Sequence, residues 1–433
     1  MPDSLLIHGG RIIDQSQDID KIADLLIKDG KILWLGEGKP PEEDYAVLNA
    51  GGLIVCPGFI DLHCHLRQPG YEEKETIASG TWAAARGGFT TVCCMPNTNP
   101  PLDNGDMLNY VRTVAAREGI IRVFPIGCVT VGRKGEELAD LNELEMNGAV
   151  AFSDDGSPVS KPEIIRRALE YSRDFKRPII DHCEDTSLTQ GGQINEGVVS
   201  LEMGLCGMPG AAEEVMVKRD IDLAKETGGH VHIAHVSTAA SAELIRQAKE
   251  EGVHVTAEVT PHHLTLTEED VFKYGTLAKV NPPLRTKQDT IALLRALNDS
   301  VIDIVATDHA PHTKADKDCE FTQAAFGISG LETALGSLVG LILKSELSLN
   351  NMIAALTAGP AHVLGYAKLG TFETGAPADV CIFDLHKEWM VDVEKFASKG
   401  KNTPLNGRTL KGKVMSTIYM GNPVYMEEGM KVE

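Results

Sequence analysis

Short apolar runs in the middle of this 433-residue chain end, one after another, in imidazoles and carboxylates. The first ends in Asp61-Leu62-His63-Cys64-His65-Leu66-Arg67. A strand's period of two predicts Asp61, His63 and His65 on one face, with Leu62 and Cys64 turned toward the other. Two imidazoles at that spacing can meet one metal ion, although a lone His-x-His reads equally well as two polar residues at a strand mouth. Four further runs end the same way: in Ser153-Asp154-Asp155-Gly156, in Asp181-His182-Cys183-Glu184-Asp185, in His235, and in Thr307-Asp308-His309-Ala310-Pro311-His312. An unpaired polar group costs several kcal/mol to bury, so five such endings at matching places point to a site rather than to packing. Four histidines and two aspartates without a cysteine suit zinc or a similar divalent ion in an open catalytic centre. Asp154 and Asp155 compete for one of those places. The spacing alone leaves that choice open.

The elements that must hold these groups follow from periodicity. Strands are predicted over residues 54–65, 89–95, 123–129, 149–153, 178–182, 231–235, 253–259 and 302–308. Amphipathic helices are predicted between them, over 77–86, 136–147, 162–175, 212–227, 239–251 and 288–297. Strand, helix, strand alternation implies parallel strands with crossover helices. Eight units over about 250 residues is the size of a (β/α)8 TIM-like barrel, whose active site sits at the C-terminal ends of its strands, and periodicity alone also permits a doubly wound open sheet. The ends of the chain read differently. Short strands at 5–7, 11–13, 23–28 and 31–35 are separated by Gly9-Gly10 and by Asp29-Gly30, a strong hairpin signal. Residues 378–383, 412–414 and 417–420 repeat the pattern near the C-terminus. The expected organisation is an α/β barrel over 57–366 with a small β-sandwich built from both termini, 1–56 and 367–433.

Composition narrows the function classes. Lys plus Arg number 41 against 62 Asp plus Glu, a net charge of −21, which argues against phosphate-backbone binding and against docking on anionic membranes. No dinucleotide or phosphate-loop glycine motif is present. The start, Met1-Pro2-Asp3-Ser4, carries no basic leader, and the longest uncharged stretch, 347–367, is broken by Asn350, Asn351, Gly359 and Pro360. Nine cysteines without regular spacing read as reduced thiols of a cytoplasmic protein, and Cys93-Cys94 as strand packing.

Taken together, these segments carry a family resemblance. Pro57-Gly58-Phe59-Ile60-Asp61-Leu62-His63-Cys64-His65-Leu66-Arg67 resembles the amidohydrolase superfamily, in its dihydroorotase form. Met95-Pro96-Asn97-Thr98, Phe152-Ser153-Asp154-Asp155-Gly156, Asp181-His182-Cys183-Glu184-Asp185, Thr260-Pro261-His262-His263-Leu264 and Thr307-Asp308-His309-Ala310-Pro311-His312 are similar to the bacterial class I dihydroorotases, in the same order. The resemblance implies a barrel with a composite β-sandwich and two zinc ions per subunit, bridged by Asp155 and a hydroxide. It implies His63, His65 and Asp308 on the first ion, and His182 and His235 on the second. It also implies reversible closure of N-carbamoyl-L-aspartate to (S)-dihydroorotate in pyrimidine biosynthesis, with Asp308 as general base and then general acid. Many amidohydrolases bridge their metals with a carboxylated lysine; the matching position here is Ser153, which cannot be carboxylated. That departure weakens a reading as allantoinase, dihydropyrimidinase or hydantoinase.

The substrate's ring carboxylate calls for a cation, and Arg67 can grip one bidentately. The resemblance places Arg67, Asn97, Asn281 and His312 in the substrate site, with His65 and the backbone of Phe326-Gly327. Taken alone, Arg67 would read as half of a surface salt bridge. Residues 313–325 are polar and lack helix or strand periodicity, and are expected to form a mobile lid, a solvated loop being the alternative this length permits. His230, His232 and His254 are expected in core or surface roles, as are His8, His362 and His386. His262, His263 and His309 are expected behind the metal site. The different-class rival is a non-catalytic scaffold beside aspartate transcarbamoylase, whose chains have lost metal ligands; here every expected ligand position is filled. Association with aspartate transcarbamoylase, and self-association, stay open at the level of sequence.

Overall fold

The computed structural model describes residues 4–41 and 44–433; the Met1-Pro2-Asp3 start read above lies outside them. Both ends of the chain enter one eight-stranded sheet. Its order is Asn422–Met426, Thr409–Tyr419, Val380–Met390, Ile54–Pro57, Ser4–Asp14, Ile19–Lys28 and Lys31–Gly36, with Ala46–Asn49 also beside Ser4–Asp14. The seam between the termini is antiparallel, pairing Val380 with Pro57 and Ile382 with Val55. Asp29 and Gly30 have φ of 50° and 73°, the paired positive values of a type I′ hairpin turn. The expected pairs of short strands at 5–7 with 11–13, and at 412–414 with 417–420, merge into single strands, the first shifting register between Ile7 and Gly10. Ile7, Ile12, Leu25, Leu48, Val55, Val380 and Ile418 form the core of this sheet.

The central part is α/β. Phe59–Cys64, Phe89–Cys94 and Arg122–Pro125 pair in parallel. So do Ile179–Asp181, Val231–Ile233, Val255–Val259 and Ile304–Val305. Isolated parallel bridges join Gly127 to Phe152, Phe152 to Ile179 and Cys64 to His309. Helices Ile77–Arg86, Pro162–Phe175, Ala211–Thr227, Ala239–Glu250 and Lys287–Asn298 fall within a residue of expectation at each end. Their apolar faces cover the strands: Ile165, Leu169, Val217, Ile245 and Leu293 share a cluster with Phe59, Phe89 and Val92. A second cluster, with Ile60, Leu62, Cys93, Ile126, Ile180 and Ile304, packs on Ala361, Val363 and Leu364. Cys93 and Cys94 point to opposite clusters, as strand alternation requires, and both are free thiols.

Four expectations need correction. The first predicted strand divides at Gly58, where a β-carbon would run into the Thr90 side chain. Its first half joins the terminal sheet and its second half the parallel strands. The period of two also fails within it. Register shifts between Asp61 and Cys64, an extra residue of the kind that re-aims side chains beside active sites. Leu62 therefore packs with Ile60 in the inner cluster, while Asp61 accepts hydrogen bonds from the Thr307 backbone N–H at 2.9 Å and from its hydroxyl at 2.5 Å. The predicted strand at 149–153 reduces to ladder bonds around Phe152, since the chain turns at Asp154. The helix expected over 136–147 forms only as Leu141–Met146, capped by Asp140; Leu138 instead bridges to Thr130.

Candidate active site

Four strands of the central part deliver polar residues at the same end. His63 closes Phe59–Cys64 and His65 follows it, while His182 comes directly after Ile179–Asp181. His235 lies two residues beyond Val231–Ile233, and Asp308 three beyond Ile304–Val305. Asp155 stands in the turn after Phe152, its backbone N–H donating to Ser153 Oγ at 3.0 Å. All six side chains are buried and converge. Asp155 lies 3.4 Å from His63 Nε2, 3.6 Å from His65 Nε2, 3.8 Å from His182 Nδ1 and 3.7 Å from His235 Nε2. Asp308 Oδ1 lies 3.0 Å from His65 Nε2 and 3.5 Å from His63 Nε2. His182 Nδ1 and His235 Nε2 are 2.8 Å apart. His63, Asp155 and His235 form one three-ligand group, and His63, His65 and Asp308 another, each with its ligand atoms within 4.8 Å.

The outward nitrogens explain why the inward ones are free. An ionised carboxylate only accepts, so His63 Nδ1–H donates to Glu258 Oε1 at 2.6 Å and His182 Nε2–H to Glu184 Oε2 at 2.9 Å. His65 Nδ1–H donates to Asn97 Oδ1 at 2.9 Å. In its neutral form each ring then presents a lone pair to the centre, the arrangement by which outer partners prepare a metal-binding imidazole. The His63 Nε2 atom is buried and has no hydrogen-bond partner. That orphaned nitrogen, among three other imidazoles and two carboxylates, fits a divalent cation of borderline softness.

Electrostatics agree with the geometry. Burial alone would raise Asp155, but His63 and His235 hold it well below the usual carboxylate range. Burial likewise opposes ionisation of Asp308, and His65 and His63 overcome it. Glu258, although fully buried, is held at about 2 by His63 and His232. Strain collects here as well. Arg67, His235 and Asp308 have φ of 60°, 31° and 44°, in the left-handed region that non-glycine residues avoid unless their surroundings impose it.

Asp154 takes no part in the centre. Its carboxylate accepts from the Val129 and Thr130 backbone N–H groups, at 2.9 and 3.1 Å, and from the Thr130 hydroxyl. The carboxylate facing the imidazoles is that of Asp155.

Beside the centre lies a cavity of about 290 Å³. Arg67, Asn97, Asn281, His312, Phe326 and Gly327 line it, together with His65, Asp155, His182, His235 and Asp308. Arg67 donates from Nε to the Pro311 carbonyl at 3.3 Å and forms no ion pair among the described residues. A half-buried guanidinium with no carboxylate partner is not half of a surface salt bridge. His312 donates from Nε2 to the Phe326 carbonyl at 2.8 Å. Asn281 donates to Glu184 at 2.8 Å. Gly327, at φ 134°, leaves no room for a β-carbon beside Ala310.

The structure adds residues that sequence reasoning missed. Glu258 touches His63, His232 (3.2 Å) and the His235 backbone N–H (3.1 Å). An acid inside the apolar run Val255–Val259 was the available signal. Arg133 donates to the carbonyls of both Asp154 and Asp155, fixing the turn. His232, read as a core residue, is indeed buried but stands one carboxylate away from His63. His309 donates to Glu75 at 3.2 Å, and His263 to the Pro282 carbonyl at 3.0 Å. His230 stacks on His254 at 4.0 Å. A third acidic group, Asp181, Cys183 and Asp220, already holds a cation in Arg219, which reaches Asp220 at 2.7 Å and Asp181 at 3.2 Å. The expected lid is not featureless. Lys314–Lys317 is a helical turn, and the buried Lys317 ammonium donates to the carbonyls of Thr276, Lys279 and Ala325.

Comparison with known proteins places this chain in a family. A family model described as Dihydro-orotase-like matches residues 52–241. The protein named Dihydroorotase from Citrifermentans bemidjiense is 49% identical over 98% of this chain and 99% of its own length. The one from Pelotomaculum thermopropionicum is 50% identical over 98% and 99%. Among solved structures, the L-hydantoinase (dihydropyrimidinase) from Arthrobacter aurescens superposes with a TM-score of 0.90 at 27% identity, covering 100% of this chain and 98% of that one. The dihydropyrimidinase from Brevibacillus agri reaches 0.85 at 23%, over 99% and 96%, a likeness of fold. The fold is thus the one these cyclic-amide hydrolases share. Within it, the chain belongs to the dihydroorotase family.

Proposed function

We propose that this chain is a zinc-dependent dihydroorotase, which interconverts N-carbamoyl-L-aspartate and (S)-dihydroorotate in pyrimidine (UMP) biosynthesis. The observation that carries the reading is the convergence of four imidazoles and two carboxylates, one imidazole nitrogen orphaned, beside a pocket with an unpaired guanidinium. The relatives named Dihydroorotase, near 49% identity over 98% of the chain, support it. His63, His65 and Asp308 would hold one zinc ion, His182 and His235 the other, and Asp155 both. Bound zinc supplies Lewis acidity and lowers the pKa of water to about 7.

The chain's own groups do the rest. Arg67 binds the ring carboxylate, and Asn97, Asn281, His312 and the backbone at Phe326-Gly327 orient the ring. Asp308, kept ionised by His65 and His63, takes a proton from the attacking water and passes it to the departing amide nitrogen. In the closing direction it takes the proton from the carbamoyl nitrogen and gives it to the departing hydroxyl, which leaves as water.

The parallel strands, with bridges at Gly127, Phe152 and from Cys64 to His309, support a (β/α)8 barrel over 57–366. The shared terminal sheet supports a composite β-domain from 1–56 and 367–433, which we read as the expected β-sandwich. Nine free cysteines fit a reducing, cytoplasmic setting. No helix among the described residues is long and apolar enough to cross a membrane.

The test is to purify the protein, count metal per chain, and compare ring opening of dihydroorotate, dihydrouracil, hydantoin and allantoin. Two zinc ions and a strong preference for dihydroorotate are expected. Faster opening of another ring would assign a different cyclic amidohydrolase, and absence of both metal and turnover would leave the scaffold.

A further inference from the structure

Between Val380–Met390 and Thr409–Tyr419 the chain leaves the terminal sheet and lays residues 396–405 against the back of the pocket. Asn402, 3% exposed, is the centre of this contact. Its Oδ1 accepts from the His312 backbone N–H at 2.9 Å and from the Ser329 hydroxyl at 2.9 Å. Its Nδ2 donates to the carbonyls of Ala310 at 3.0 Å and Gly327 at 3.1 Å. A carboxamide has two donors and two acceptor lone pairs, and here all four are used. The Asn402 carbonyl also accepts from the Ser329 backbone N–H at 2.9 Å.

The neighbours of Asn402 fasten the same loop. Gly400 lies so close to Pro311 and Ser329 that a β-carbon would overlap both. The Ser398 hydroxyl donates to Glu75, the carboxylate that receives His309 Nε2–H, and the Lys399 N–H donates to Glu75 at 3.2 Å. The segment therefore holds residues 309–312 on one side and 327–329 on the other. Asn402 itself does not line the cavity.

We propose that Asn402 is a positioning residue for substrate binding: it sets the spacing between His312 and Gly327, and through Pro311 the seat of Arg67, without touching the reacting atoms. The inference rests on the proposed dihydroorotase activity, since these groups are the ones that would meet the ring and its carboxylate. A carboxamide of this length serves both sides at once. Aspartate would turn an oxygen toward the Ala310 and Gly327 carbonyls, and alanine would leave all four partners unpaired.

The test compares Asn402→Ala and Gly400→Ala with the wild-type holoenzyme. For Asn402→Ala, KM for dihydroorotate should rise by about tenfold or more, the effect of unpairing buried polar groups, with kcat and zinc content within about twofold. Preference for dihydroorotate over dihydrouracil, which lacks the carboxylate, should narrow in the same variant. Gly400→Ala should raise KM as well, by displacing Pro311. Hydrogen exchange, measured without substrate, should quicken in peptides covering 309–313 and 326–330 and stay unchanged in those covering 59–64. An unchanged KM, or unchanged exchange in the two loops, overturns the proposal. So does a joint collapse of kcat, zinc content and melting temperature, which is the mark of a merely structural residue. Should the wild type fail to open dihydroorotate, the proposed activity falls, and the exchange result alone decides for or against the clamp.

Discussion

Glu258 accepts a 2.6 Å hydrogen bond from His63 Nδ1, and the other nitrogen of that imidazole is buried with no partner. One buried carboxylate thus decides which face of His63 is basic. Its second oxygen accepts from His232 Nε2–H at 3.2 Å. The chain of contacts continues through the Thr256 hydroxyl, 2.8 Å from His232 and 2.7 Å from His230. With Glu258 ionised, every proton along that line has one consistent position: Thr256 donates to His232 Nδ1, and His230 donates to Thr256.

Glu258→Gln removes this certainty, because an amide nitrogen facing either imidazole would donate where it must accept. Zinc affinity, measured by competition with a chromogenic chelator, should fall by about 10- to 100-fold. An affinity equal to wild type would show that His63 needs no such support.

Asp308→Asn retains size and loses the basic oxygen. Turnover of dihydroorotate should fall by about 10²- to 10⁴-fold, the usual worth of a general base. Steady-state rates near normal would remove Asp308 from proton transfer.

Arg67→Met keeps much of the side-chain length and removes the charge. KM for dihydroorotate should rise by about 10- to 100-fold, as expected for a lost charge-assisted bidentate contact, while zinc per chain stays constant. The same KM in both proteins would refute the carboxylate role.

The pH dependence of metal binding follows from the site's own charges. Burial opposes a charged His63, yet Glu258 and Asp155 hold it well above its ordinary 6.5; burial opposes a charged Asp155, yet His63 and His235 hold it well below 3.8. In protein stripped of metal, the raised histidine lends stability that is complete below its unfolded pKa and is lost as pH rises through the folded one. The lowered carboxylate lends stability present above its unfolded pKa and lost as pH falls through the folded one. A zinc ion held there would take the neutral imidazole and displace its proton. The rise in melting temperature on adding zinc should therefore grow between about pH 5.5 and about pH 8. Calorimetry at three pH values checks this, and a gain that shrinks with pH would contradict the assigned protonation states.

Much of the centre was legible because its residues interrupt apolar runs. His182, His235 and Asp308 each stand just past a short, mostly apolar strand, and no knowledge of the fold is needed to see them. Leu62 was misplaced because strand alternation assumes an unbroken ladder, and the extra residue between Asp61 and Cys64 depends on a partner strand. The turn at Lys314–Lys317 was overlooked although Thr313 and Asp316 form a capping box, a signal present in the sequence. Asn402 was out of reach. Its partners lie 90 and 75 residues away, and nothing local marks a carboxamide whose use is set by long-range packing.

Gly58 joins Ile54–Pro57, a seam strand of the terminal sheet, to Phe59–Cys64, whose penultimate residue is His63. A single glycine thus separates the strand that stitches the two chain ends together from the strand that carries the first imidazole of the centre. The smallest working version of this protein is therefore nearly all of it. Trimming either tail pulls at the catalytic floor, and anyone seeking a leaner enzyme must shorten loops rather than discard the flanking module.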